Sequence, residues 1–578
     1  MSFGISILYP NYEGVTYKDL PEMVCHDLAL DNLCKKISEK EIEQSMIMRV
    51  ISKVTDDSRV ARFRSDVFDD IYRLPKLRDE MLKLLEEVQF LKDFGSFKRD
   101  YDKKATVWDL LHRLEEINDY IICVEKIMKC LENADIKSEG LKNLKTYVDS
   151  IYYDSSFDQM KKDISALKAS TTSIKSITLG INLDERFETE GVGIISVNDK
   201  HFRNSGIVSN FAKNIISKDK ISDETNWDGT MHYQPVQEDD ELSLDKFTRF
   251  GALMQAQKGG LNGLVATKTV ISMPEKDGTQ EFSHYLSKTC DQMLSTTVKR
   301  LREVLSLYTS ISINIMTDLI PEFIYYIRFA EFVEKKIKQG YLFGKANSIE
   351  KDLNNQSGQK SMEAKNFYNI KLVLSDVAPV DIVKNDLDFS EEHTLYVLTG
   401  ANRGGKTTIT QAVGQLYVLA QGGIYIPGES FDYVPVDCIF THFPADEDKT
   451  LDLGRLGEEC TRFKTIFNEA TEKSLILMNE TFSTTSFEEG YYIAKDSVKA
   501  LLNKKVRTIY NTHMHKLARD IDEINETEGC KAASLIVEVK NNDRSFKVAV
   551  APPEGMSYAK DIAEKYGVTF EILTKKYL

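Results

Sequence analysis

Residues 398–410 read LTGANRGGKTTIT, and Gly400, Gly404, Gly405, Lys406 and Thr407 fit the spacing Gly-x-x-x-x-Gly-Lys-Ser/Thr. Glycines at these places let a loop curl with its N–H groups inward, toward phosphate oxygens. The N-terminus of a following helix adds its positive end. In that geometry Lys406 meets the β- and γ-phosphates of a nucleoside triphosphate, and the Thr407 hydroxyl ligates Mg2+. Asn402 and Thr408 lie in the same stretch and complete the expected ATP-binding set. A glycine-rich turn without a ligand gives the same letters, so the elements on either side decide between the two readings.

The second half of such a site is a hydrophobic strand ending in an acid. SLILMNE (474–480) supplies the strand, and Glu480 stands where a carboxylate polarises the attacking water. The residue before it is Asn479, at a place where an aspartate is usual. An amide oxygen can face Mg2+ or its water but brings no charge, so weak metal binding or slow turnover is expected. A third stretch, VRTIYNTH, ends at His513, within reach of a γ-phosphate; His515 is expected at the surface.

These residues need a frame. Apolar runs at 395–399, 474–478 and 506–510 are separated by helical stretches, the pattern of a mostly parallel sheet spanning about 361–578. Upstream, residues 66–174 carry apolar side chains at helical spacing, as at Leu77, Met81, Leu84, Leu85 and Val88. Two β-branched runs within 176–197 read as a hairpin that opens a polar insert, 175–280. Helix returns over 281–360, with a break or kink expected at Pro321 and a linker or exposed loop over 344–361. The layout is helix out, small β-containing module, helix back. Residues 1–65 give no clear role.

The chain has 578 residues, 42% hydrophobic and 29% charged, enough for several cores. No apolar run is long enough to span a bilayer, and the N-terminus does not read as a secretory signal. The eight cysteines form no CxxC pair, which argues against zinc and for reduced thiols in a cytoplasm. A net charge of −15 argues against binding nucleic acid over the whole surface and leaves a restricted basic face or the inside of a ring.

TGANRGGKTT, DCIFTHFPADED, SLILMNETFSTTSFEEG, TIYNTHMHKLARDI and PPEGMSYAKDIAEKYGV occur in this order and resemble the linked motifs of the MutS mismatch-repair ATPases. The likeness is good from about 365 to 570 and weaker through the helices before it. It implies an α+β multidomain protein: a long-helix core and lever region, a small β-containing clamp-like insert, then an ABC-type P-loop α/β ATPase domain. It implies a homodimer in which a signature region, about 452–459, completes the partner's site. Gly454 and Arg455 stand where the family has Ser-Thr, and Arg455 would add charge in trans. It also implies a clamp around DNA, with Lys200, Arg203, Lys213, Lys218 and Lys220 touching phosphates.

The family's mismatch sensors wedge a Phe-x-Glu motif into the mispair, and residues 1–65 contain none. The expected ligand is therefore mismatched, branched or damaged duplex read by shape, under ATP control, in repair or recombination. Two alternatives stand beside it. One is the same architecture acting on RNA, a ribosome or a protein; the other is a binding-only ATPase, suggested by Asn479.

Overall fold

The computed structural model describes residues 5–92, 107–171, 176–183, 185–186, 189–198, 295–308, 319–350, 360–390, 392–400, 404–444, 454–526, 530–540, 543–552 and 566–574. They fall into two compact units. The first comprises 1–87, 127–148 and 317–578; the second comprises 88–126 and 149–316.

The first unit is built on a six-stranded sheet. Its order is Ile439–His442, Leu475–Asn479, Arg507–Asn511, His393–Thr399, Lys531–Lys540, Asp543–Val550. The first five strands run parallel, and the last pairs antiparallel at the edge. Three of the four inner strands, Leu475–Asn479, Arg507–Asn511 and His393–Thr399, are buried along nearly their whole length, which is why they read as apolar runs rather than as alternation. The strand ending in Asn511 lies between the strand that feeds the glycine loop and the strand that ends in Asn479.

A smaller mixed sheet of Ala346–Ser348, Ser430–Tyr433, Lys360–Phe367 and Asn385–Ser390 belongs to the same unit. Part of the stretch expected as a linker is thus a strand. Ala346 and Ser348 turn inward, and the Ser348 hydroxyl donates to the Ser58 carbonyl at 3.0 Å. Polar composition hid the strand because half of a short edge strand faces solvent.

Residues 5–65, silent in the sequence, pack against the helix Lys406–Gln421 that follows the glycine loop. Gln411 Nε2 donates to the Asp27 carbonyl at 2.8 Å, Gln415 Nε2 to the Leu28 carbonyl at 2.9 Å and Gln421 Nε2 to the Thr55 carbonyl at 2.9 Å. Arg64 is fully buried and donates to the Leu8 and Gln421 carbonyls at 2.9 Å each, with its guanidinium over Tyr9 and Tyr17. A helix buried on nearly every side must satisfy its polar side chains internally, and these contacts do so. Pro321 sits in the first turn of the helix Ile320–Lys338, where its missing N–H costs nothing; it starts this helix rather than kinking it.

The second unit contains the helix Ser155–Thr171, most of Val107–Glu132, and Ser295–Leu305. Tyr308 Oη donates to Asp163 at 2.7 Å, and Arg113 Nη2 donates to the Tyr308 carbonyl at 2.9 Å. The hairpin of Ser176–Leu183 and Thr189–Asn198 pairs antiparallel, as its sequence predicts.

Candidate nucleotide-binding site

Gly405 has a φ of +90° and caps the helix that begins at Lys406; Gly400, at +145°, ends the preceding strand. Both angles are costly for any residue with a Cβ, which accounts for these two glycines. Lys406 is 4% exposed, and its Nζ donates to the Gly400 carbonyl at 3.0 Å. Burial pushes its ammonium below the ordinary lysine range, and the Glu480 carboxylate opposes that shift.

Glu480 follows the strand directly and holds a left-handed φ of +55°, uncommon for a side chain of its size. Its backbone N–H donates to the Asn511 carbonyl at 2.9 Å. Its Oε1 lies 2.6 Å from His513 Nε2. Both groups are partly open to solvent.

Gly404, Gly405, Lys406, Thr407, Thr408, Glu480 and His513 line one cavity of about 670 Å3 at the carboxyl ends of the parallel strands. That is the place where open α/β sheets take their ligands. Phe367, Tyr368, Val377, Val383 and Phe546 form an apolar wall of the same cavity. Loop amides and apolar side chains lining one cavity fit ATP in volume and chemistry.

The fit for Mg2+ is different. Thr407 and Asn479 are together, with the Thr407 hydroxyl donating to Asn479 Oδ1 at 3.0 Å. Asn511 Nδ2 donates to the same oxygen. Among the described residues, no cluster of three or more His, Cys, Asp or Glu side chains could hold a metal ion. A hard cation prefers oxygens with free lone pairs and negative charge; Thr407 keeps only a neutral hydroxyl oxygen, and the Asn479 oxygen is uncharged and already accepts two hydrogen bonds.

Gly454 and Arg455 are exposed in the first turn of the helix Gly454–Glu469. That helix is tied to the sheet by His442. Its Nε2 lies 3.1 Å from the Glu459 carbonyl and its Nδ1 lies 3.1 Å from the Thr481 hydroxyl, beside Glu480. Burial, and next the Arg462 guanidinium, push His442 down to about 4, so it is neutral at pH 7. His515 is half-buried rather than at the surface, and burial lowers it too. Asn402, Lys200, Arg203, Lys213, Lys218 and Lys220 lie outside the described residues.

Sequence reasoning passed over Asn511 and His442. A polar residue closing an apolar strand was the available signal for Asn511, as it was for Asn479. No helix among the described residues is long and apolar enough to cross a membrane.

Residues 396–576 match the family model described as MutS domain V, and residues 56–319 match the one described as MutS2 N-terminal domain. The chain is 30% identical over 209 residues to the DNA mismatch repair protein MutS of Carboxydothermus hydrogenoformans, covering 36% of this chain and 24% of that one. It is 33% identical over 199 residues to the DNA mismatch repair protein MutS of Prochlorococcus marinus, covering 34% and 21%. With the DNA mismatch repair protein Msh6 of Gallus gallus the identity is 35% over 148 residues, covering 25% and 11%. The matched stretch thus spans less than a quarter of each of these relatives.

Proposed function

The chain belongs to the MutS family, and from that premise we propose that it is a homodimeric ATPase whose nucleotide state switches its grip on mismatched, branched or damaged DNA. The observation that carries this reading is the convergence of the glycine loop, Lys406, Glu480 and His513 on one cavity. Bound ATP supplies a γ-phosphoryl group open to attack by water. The loop amides and Lys406 Nζ hold the phosphates and offset their charge. Glu480 takes the proton of the attacking water on the carboxylate oxygen that His513 leaves free. His513 Nε2 is then available to a γ-phosphate oxygen. Arg455 is exposed at a helix start, and in the proposed dimer it serves the site of the second copy.

Hydrolysis measured with junction, mismatched and perfect duplexes tests the proposal. Junction or mismatched DNA should change the rate and be retained at low salt. An unchanged rate with no retention of any duplex removes DNA from the reading. A binding-only ATPase is the second reading, favoured by Asn479. It predicts ATP-dependent dimerisation without phosphate release above background.

A further inference from the structure

Asn511 is fully buried and Asn479 is 7% exposed, and the two are directly opposite in neighbouring parallel strands. Asn479 Oδ1 accepts from the Thr407 hydroxyl at 3.0 Å and also from Asn511 Nδ2. An amide oxygen has two lone pairs, and these two donors fill both. What Asn479 has left is its Nδ2, which can only donate. Asn511 Oδ1 is itself buried with no hydrogen-bond partner among the described residues. Rotating the Asn511 amide would put an unpaired NH2 in that place, two orphaned donors instead of one orphaned acceptor, at greater cost. The Asn511 orientation is therefore fixed by its burial, and it fixes that of Asn479.

Resting on the nucleotide-site reading above, we infer that Asn511 is a positioning residue that saturates the Asn479 amide oxygen, so that position 479 offers a divalent cation no free oxygen and the site holds nucleoside triphosphate largely without one. An amide whose oxygen is filled and whose other end can only donate has nothing to offer a cation. Lys406 supplies the positive charge at the same place. An aspartate at 479 would instead keep a charged oxygen for the metal's water, and it would do so fully only without the Asn511 donor. The asparagines at 479 and 511 act as one device.

The test measures equilibrium binding of a fluorescent ATP analogue to the full chain, in Mg2+ and in excess EDTA. The variants are Asn479→Asp, Asn511→Ala and the double substitution. Direct Mn2+ binding, followed by electron paramagnetic resonance, supplies a readout independent of turnover. For the unaltered chain, chelation should weaken nucleotide binding by less than about threefold. The double variant should bind Mn2+ more tightly and lose at least tenfold in nucleotide affinity on chelation. Asn479→Asp alone should show a smaller metal dependence than the double variant. A tenfold or greater loss in the unaltered chain overturns the inference and leaves the nucleotide site standing. A single and a double variant that behave alike overturn the role of Asn511. Absence of binding in both buffers overturns the nucleotide reading and the inference with it. The unaltered chain carries the first comparison, so a variant that misfolds does not remove the test.

Discussion

Glu480 and His513 hold each other, with 2.6 Å between Oε1 and Nε2. The pair occupies one carboxylate oxygen and leaves the other to the attacking water in the proposed reaction. The left-handed backbone at Glu480 places the acid just past the sheet, and only surrounding structure holds such a conformation. Glu480→Ala should therefore remove hydrolysis by about two orders of magnitude or more while leaving ATP binding in place. Steady-state phosphate release and nucleotide binding, measured on the same preparation, separate the two effects. Equal loss of both would show that Glu480 holds the loop rather than acting on water.

At the scale of elements, the helix Gly454–Glu469 meets the sheet through a neutral histidine. His442 bridges the Glu459 carbonyl and the Thr481 hydroxyl, and Arg462 on the same helix donates to the Phe443 and Thr441 carbonyls. This joins the start of a helix read as the partner-facing element to the residue next to Glu480. His442 stands at about 4 when folded, below its ordinary 6.5. Its folded value is depressed, so protonation favours the unfolded chain. The stability it contributes is complete above the unfolded value and is lost as pH falls from 6.5 toward 4. Between pH 7.5 and 5 the loss is roughly 2 kcal/mol, from the 1.4 kcal/mol carried by each pH unit. The urea unfolding midpoint should fall less between these two pH values in His442→Asn than in the unaltered chain. An identical fall in both would remove His442 as the source. The helix Lys406–Gln421 shows the complementary arrangement. Its glutamines are answered by backbone carbonyls of the N-terminal segment, so the helix after the glycine loop is tied to residues 27–55 by three hydrogen bonds.

At the scale of the whole molecule, a chain of net charge −15 that grips DNA must do so through a local basic face. The proposed set is Lys200, Arg203, Lys213, Lys218 and Lys220. Replacing all five by alanine should weaken retention of every duplex alike and flatten its dependence on salt, by about one unit of slope for each phosphate no longer neutralised. Filter binding between low and moderate salt measures that slope. A slope equal to that of the unaltered chain would place the DNA-binding face elsewhere.

The sequence by itself determined the pieces whose signal is local. The glycine loop, the strand ending in Asn479 and Glu480, the hairpin at 176–198 and the helical periodicity of 66–174 are each written in adjacent residues, because backbone geometry and burial act over a few positions. Their order along the chain then pointed to the MutS family. Tertiary structure decided what depends on neighbours distant in sequence. The strand order sets Asn511 beside Asn479, and hydrogen bonding there decides whether the Asn479 oxygen is left for a ligand. Residues 5–65 include the short amphipathic helix Leu30–Ile37, but the polar partners that fix the segment are carbonyl and amide groups hundreds of positions away, which adjacent residues do not announce. Saturation of a lone pair is a property of an assembled site, and a string of residues does not contain it.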